Sequence, residues 1–196
     1  MILIGLTGGI GCGKTTVLHE FEQLGIPCFV ADQRAALYYE DDLFKRKIAS
    51  LFGNSVFRLD GSVDKKLIAE KVFDNHDLLM SLNAIVHPMV MADFKEWASS
   101  YEGKAPYVIL ESAIIYEYNL NQHLNAVISV YLDKEERLRR LQLRDKTTRE
   151  ALEARMRNQL PAELKMERAD YVILNYEGNP RARQVLTIHN LILSHL

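Results

Sequence analysis

An excess of positive charge is missing from this chain: 24 lysines and arginines face 26 aspartates and glutamates, for a formal net charge of −2. Broad electrostatic binding of nucleic acid needs a strongly basic face, so that class of partner is excluded. Cysteine is nearly absent, represented only by Cys12 and Cys28. Two thiols make no disulfide framework, and a reducing compartment, the cytoplasm, is expected. No apolar run approaches the roughly 20 residues of a membrane span, so no membrane partner is expected. The first strand pattern already begins at Ile2, so no signal peptide is expected. Internal repeats and low-complexity tracts are also absent. At 196 residues the chain suffices for one α/β domain with a small mobile insertion. Its oligomeric state is left open, with a monomer favoured.

Two further absences concern motifs. Neither D-x-x-G nor [NT]-K-x-D occurs, which argues against a switch GTPase. The dinucleotide fingerprint G-x-G-x-x-G fails because Lys14 or Thr16 occupies the position of its last glycine. What is present is a complete G-x-x-x-x-G-K-[ST] segment, Gly8-Gly9-Ile10-Gly11-Cys12-Gly13-Lys14-Thr15, directly after the apolar run Ile2–Thr7. A strand before it and a helix pattern after it (Thr16-Val17-Leu18, Phe21, Leu24) are the setting in which such a loop cradles phosphates. Backbone N–H groups of Gly9, Gly11, Cys12, Gly13 and Thr16 converge on the phosphates with a helix dipole behind them. Lys14 then reaches the β/γ-phosphates and the Thr15 hydroxyl ligates Mg²⁺. These residues imply a nucleoside triphosphate ligand. Cys12 stands where a small residue fits, and its alkylation is expected to block that ligand.

Five apolar runs read as strands: Ile2–Thr7, Cys28–Ala31, Tyr107–Leu110, Ala126–Leu132 and Tyr171–Leu174. Helical patterns separate them, which predicts a parallel sheet covered on both faces. Helix starts are marked by Asp64, Asp133 and Thr148, a tight turn by Asp60-Gly61, and a solvated helix start by Glu40-Asp41-Asp42. The stretch Gln33–Ser100 holds no convincing strand and reads as a helical excursion. The expected organisation is one domain with a core of residues 1–32, 101–136 and 159–196, a helical acceptor region 33–100 and a lid 137–158.

Ligands of open parallel sheets sit beyond the carboxyl ends of the strands. Asp32, Glu111 and Asn175 follow strands two, three and five, while Asp133 looks like a helix cap. Asp32 is the candidate to orient a hydroxyl acceptor and take its proton, against a bland alternative as a helix cap. Glu111 could hold Mg²⁺ through water, bind the acceptor or cap a turn. Arg137, Arg140 and Arg144 fall at i, i+3 and i+7, on one helix face, with Arg149, Arg155 and Arg157 beyond. Phosphoryl transfer needs such guanidinium groups near its spreading charge. A solvated helix with Glu–Arg pairs is the plainer alternative.

Several blocks resemble the dephospho-coenzyme A kinase family over nearly the whole chain. These are Leu6–Thr16, Val30-Ala31-Asp32, Leu82-Asn83-Ala84-Ile85-Val86-His87-Pro88, Glu111–Glu117, Arg137–Arg144 and Ala169–Asn175. The resemblance implies a three-layer P-loop kinase fold with a five-stranded parallel sheet. It also implies transfer of the γ-phosphoryl group of ATP, with Mg²⁺, to the 3′-hydroxyl of dephospho-coenzyme A. Carried over by position, Asp32, Lys14 and Arg140 are catalytic, Arg144 and Asn175 join the loop in holding ATP, and Arg34, His87, Glu111 and Glu117 hold the acceptor. The sequence departs from the family pattern at Val30, Ala36 and Ala113, where an aspartate, an arginine and a proline are usual. Another small-molecule kinase of the same fold, or a nucleotide sensor without turnover, would share the loop.

Overall fold

Near-continuous β-branched and apolar runs form five strands: β1 (Ile2–Thr7), β2 (Cys28–Val30), β3 (Tyr107–Glu111), β4 (Ala126–Tyr131) and β5 (Tyr171–Leu174). In this computed structural model, which describes residues 1–73 and 75–195, they make one sheet of order β2-β3-β1-β4-β5. Every pairing is parallel. Three strand ends differ from the sequence reading. Ala31 leaves β2 to open a helix, β4 stops at Tyr131, and β3 runs on to include Glu111. A carboxylate is a poor strand former by propensity, but the β1 partner Leu6 and the β2 partner Val30 pair with Glu111 on both sides.

The helices are α1 (Lys14–Gln23), α2 (Ala31–Leu37), α3 (Asp42–Phe52), α4 (Lys65–Phe73), α5 (His76–Ser99), α6 (Lys134–Asp145), α7 (Arg149–Arg157), α8 (Ala162–Arg168) and α9 (Arg181–Ser194). Contacts divide the chain into two compact units, Met1–Val30 with Trp97–Leu196, and Ala31–Glu96. The first contains the sheet. Val17, Leu18 and Phe21 of α1 and Val185, Ile188 and Ile192 of α9 bury one face of it against Ile4, Leu6, Ile128, Val130 and Ile173. On the opposite face Gly5 packs against the side chains of Ile115 and Leu124, whose end methyls a Cβ would push aside. This is the two-sided burial that an all-parallel sheet requires.

Among its described residues the second unit is helical, apart from one antiparallel bridge between Phe57 and Val63 across the Asp60-Gly61 turn. Its core is Phe44, Ile48, Val56, Val63, Ile68 and Leu82. The acidic run resolves as an N-cap, with Asp41 accepting from the Phe44 N–H at 2.7 Å. Asp133 and Thr148 cap α6 and α7 in the same way, and Asp64 accepts from the N–H groups of Lys66 and Leu67. Among the described residues no helix is long and apolar enough to cross a membrane.

The turn out of β1 allows little variation. Gly8 has φ 149°, and a Cβ there would overlap the carbonyl oxygen of Val130 on β4. Gly8→Ala should therefore cost about 2 kcal/mol or more. Denaturant unfolding checks this; a midpoint unchanged from the parent chain contradicts the geometry.

Candidate active site

The glycine loop between β1 and α1 is folded by its own backbone and gripped from outside. Gly11 and Gly13 adopt φ 83° and 90°, conformations that suit glycine because they lack a Cβ to strain. The Cys12 N–H donates to the Gly9 carbonyl at 3.1 Å. The Ile10 N–H donates to Gln159 Oε1 at 3.0 Å, and Gly11 lies flush against Leu141 of α6. Ile10 packs on the apolar cluster Leu138, Leu141 and Leu152 of α6 and α7. Lys14, Thr15 and Thr16 form the first turn of α1, where the helix dipole favours an anion, and the Thr16 N–H donates to the Gly13 carbonyl at 3.1 Å.

Asn175 holds the loop from behind. Its Nδ2 donates to the Cys12 carbonyl at 2.7 Å, its Oδ1 accepts from Arg181 at 3.1 Å, and it is buried. Its side chain is thus committed to protein groups at both ends. Cys12 is a small residue fitted into the loop, and its thiol is shielded. Its sulfur is buried in the main core, and desolvation pushes its pKa up, against the opposing charges of Lys14 and Arg137. A raised, buried thiol is inert toward alkylation.

The arginine stripe splits into three fates. Arg137 is buried, and its Nη1 occupies the space a Cβ on Gly9 would take. Arg140 donates to Glu136 at 2.8 Å and to the Asn175 carbonyl at 3.2 Å. Arg144 forms a two-point pair with Asp145, which also accepts from Arg155. Arg149 pairs with Glu135 and Glu153. Hydrogen bonds first from Arg139 and then from Arg140 hold the Glu136 carboxyl down at about 2. Acid–Arg pairing therefore describes most of this helix pair, with the buried Arg137 and the exposed Arg157 as the exceptions among the described residues.

Two acids of the Glu111–Glu117 block have different neighbours. Glu111 Oε1 lies 3.8 Å from Lys14 Nζ, and Lys14 also donates to the Gly8 carbonyl at 3.3 Å. The β1–β3 register produces this, because Leu6 and Glu111 are partners at the strand ends just before the loop. Glu117 accepts from Lys165 Nζ at 2.6 Å and from the Leu160 N–H at 2.8 Å. Lys165 is fully buried and also donates to the Ala113 carbonyl. Burial pulls its pKa down while Glu117 opposes the shift. Removing one member of such a pair strands a charge, at a cost of about 3–5 kcal/mol.

The remaining sequence candidates lie in the second unit. Asp32 is exposed in the first turn of α2. Arg34 grips Asp93 of α5 with two bonds, 2.6 and 3.0 Å, and Tyr38 donates to the same carboxylate at 3.1 Å. His87 lies in the middle of α5, next to Pro88, whose ring removes one helix hydrogen bond. Burial brings the His87 pKa down to about 4.

The family profile described as dephospho-CoA kinase matches residues 2–180. The chain belongs to the dephospho-CoA kinase family. It is similar to the dephospho-CoA kinase of Bacteroides fragilis, with 33% identity over 188 residues, 95% of this chain and 91% of that one. A solved structure from Thermus thermophilus superposes with a TM-score of 0.83 at 32% identity, covering 100% of this chain and 97% of that one. The dephospho-CoA kinase structure from Campylobacter jejuni gives 0.69 at 28% identity, over 99% and 98%. The fold is a P-loop kinase fold, and the activity is ATP-dependent phosphorylation of dephospho-CoA, the last step of CoA synthesis.

For this family member, sequence reasoning passed over Gln159, Lys165, Arg181 and Asp93. Lys165 carried a faint signal, since it sits three residues after Ala162 on the buried face of α8. Gln159, Arg181 and Asp93 act through partners 149, 6 and 59 residues away, and no local pattern marks them.

The half-buried His87 makes stability depend on pH. Below its ordinary value of 6.5 the unfolded chain takes up a proton that the folded chain refuses until about 4. Stability therefore falls as pH drops through that window. His87→Asn should flatten the loss in urea midpoint between pH 6.5 and 4; an unchanged slope contradicts the assignment.

Proposed function

We propose that Asp32 orients the 3′-hydroxyl of dephospho-CoA and takes its proton as the γ-phosphoryl group of ATP leaves for that oxygen. Two observations support this. Asp32 follows β2 by two residues, at the carboxyl end of a strand in an open parallel sheet, where ligands of such sheets sit. The other candidate acids are otherwise engaged, Glu111 beside Lys14 and Glu117 with Lys165.

The observation that carries the donor half is the 3.8 Å approach of Lys14 and Glu111 at the loop. Lys14 would swing from the Gly8 carbonyl to the β/γ-phosphates as they enter. The hydroxyl of Thr15 and, through water, the carboxylate of Glu111 suit Mg²⁺, which keeps most of its water and accepts one or two protein oxygens besides phosphate. When bound, Mg²⁺ would neutralise charge developing on the phosphate oxygens. Asn175 supports the nucleotide by fixing the loop, while Arg34 and His87 shape the acceptor-side helices. Catalysis is then positioning and charge stabilisation, with in-line attack. The two free cysteines are the basis for assigning the chain to the cytoplasm.

Asp32→Asn should lower kcat by a factor on the order of 10²–10⁴ while leaving ATP affinity unchanged. Coupled ADP release and calorimetric ATP titration measure both; turnover within a few-fold of the parent would remove Asp32 from the reaction.

A further inference from the structure

Arg137 is the one buried arginine of the lid, and among the described residues nothing satisfies it. It is 6% exposed, its Nε is buried without a hydrogen-bond partner, and no hydrogen bond or ion pair joins its guanidinium to any described residue. Buried charges are ordinarily paired. One side of the guanidinium is pressed on Gly9. The other borders a cavity of about 510 Å³ lined also by Lys134, Glu153, Arg157, Gln159 and Glu163. Glu153 is already paired with Lys134 at 2.9 Å and with Arg149 at 3.3 Å, so it does not neutralise Arg137. Arg157 likewise makes no ion pair among the described residues. Glu163 accepts from the Tyr131 hydroxyl at 3.3 Å, so the cavity holds three cations and two carboxylates, and neither carboxylate is paired with Arg137.

We infer that Arg137 is a catalytic residue that binds the phosphoryl group during transfer, acting as an arginine finger supplied within the chain. This rests on the reading of Gly8–Thr15 as the triphosphate cradle. The helix end of that loop takes the α/β-phosphates, so its strand end, where Arg137 meets Gly9, faces the terminal phosphate. Lys14 approaches the same phosphate from α1. Arg140 is a weaker candidate because its donors are spent on Glu136 and the Asn175 carbonyl. In the step, the bond between the γ-phosphorus and the β–γ bridging oxygen breaks, and its electron pair stays on ADP. The acceptor hydroxyl oxygen bonds to phosphorus, and its proton passes to Asp32. The charge on the three equatorial oxygens is what a guanidinium fork stabilises.

Arg137→Gln and Arg137→Lys, compared with Arg140→Gln, test the assignment. For both Arg137 variants kcat should fall 100-fold or more, and the preference for ADP with aluminium fluoride over ADP alone should disappear. The melting temperature without ligand should hold or rise, because a buried cation without a partner is gone. Arg137→Gly should regain turnover with added guanidinium. A raised KM for dephospho-CoA at unchanged kcat would make Arg137 an acceptor anchor and overturn the inference. So would a lowered melting temperature with normal kcat, which marks a structural role. Failure of the parent chain to bind ADP would instead remove the loop reading itself.

Discussion

Everything at the donor site depends on holding a glycine loop in one shape before any phosphate arrives. Three glycines with positive φ make Gly8–Thr15 compact, but the same freedom would let it wander in an isolated chain. The fold removes that freedom with groups from distant segments. Asn175 fixes the Cys12 carbonyl, Gln159 fixes the Ile10 N–H, and α6 closes over Gly11 and Gly9. The sheet order explains how they meet. β1 lies between β3 and β4, with β5 next outward, so the segments after β3, β4 and β5 all emerge around the loop.

This arrangement spends side chains on the loop that a motif-based reading would give to the ligand. Asn175 and Gln159 act on loop backbone, and Glu117 acts on Lys165. Such a second layer keeps the phosphate-binding N–H groups aimed without movement at the moment of reaction, which is where electrostatic catalysis gains most. It also leaves Cys12 buried, with a backbone that serves the loop and a thiol that serves the core.

Periodicity revealed the fold well. Runs such as Tyr107–Leu110 can only be strands buried on both faces, and the N-caps at Asp133 and Thr148 mark helices by local chemistry. Strand ends were less legible, because Ala31 and Glu111 obey their neighbours across the sheet more than their own propensities. The loop was legible because every fixed position contributes its own contact to phosphate. Spacing alone could not sort the stripe Arg137, Arg140 and Arg144. Equal spacing placed them on one helix face, but their surroundings made one a buried cation, one a tether and one a surface pair. Those surroundings come from Gly9, Asn175 and Asp145, so no window along α6 contains the difference.

Amide hydrogen exchange on the ligand-free chain tests the central claim most directly. Peptides spanning Leu6–Thr16 should be protected to nearly the level of the β1 core before any nucleotide is added, and little further afterwards. Exchange of the loop at the rate of an open chain, with protection only on adding ATP, would contradict a loop shaped in advance by its braces.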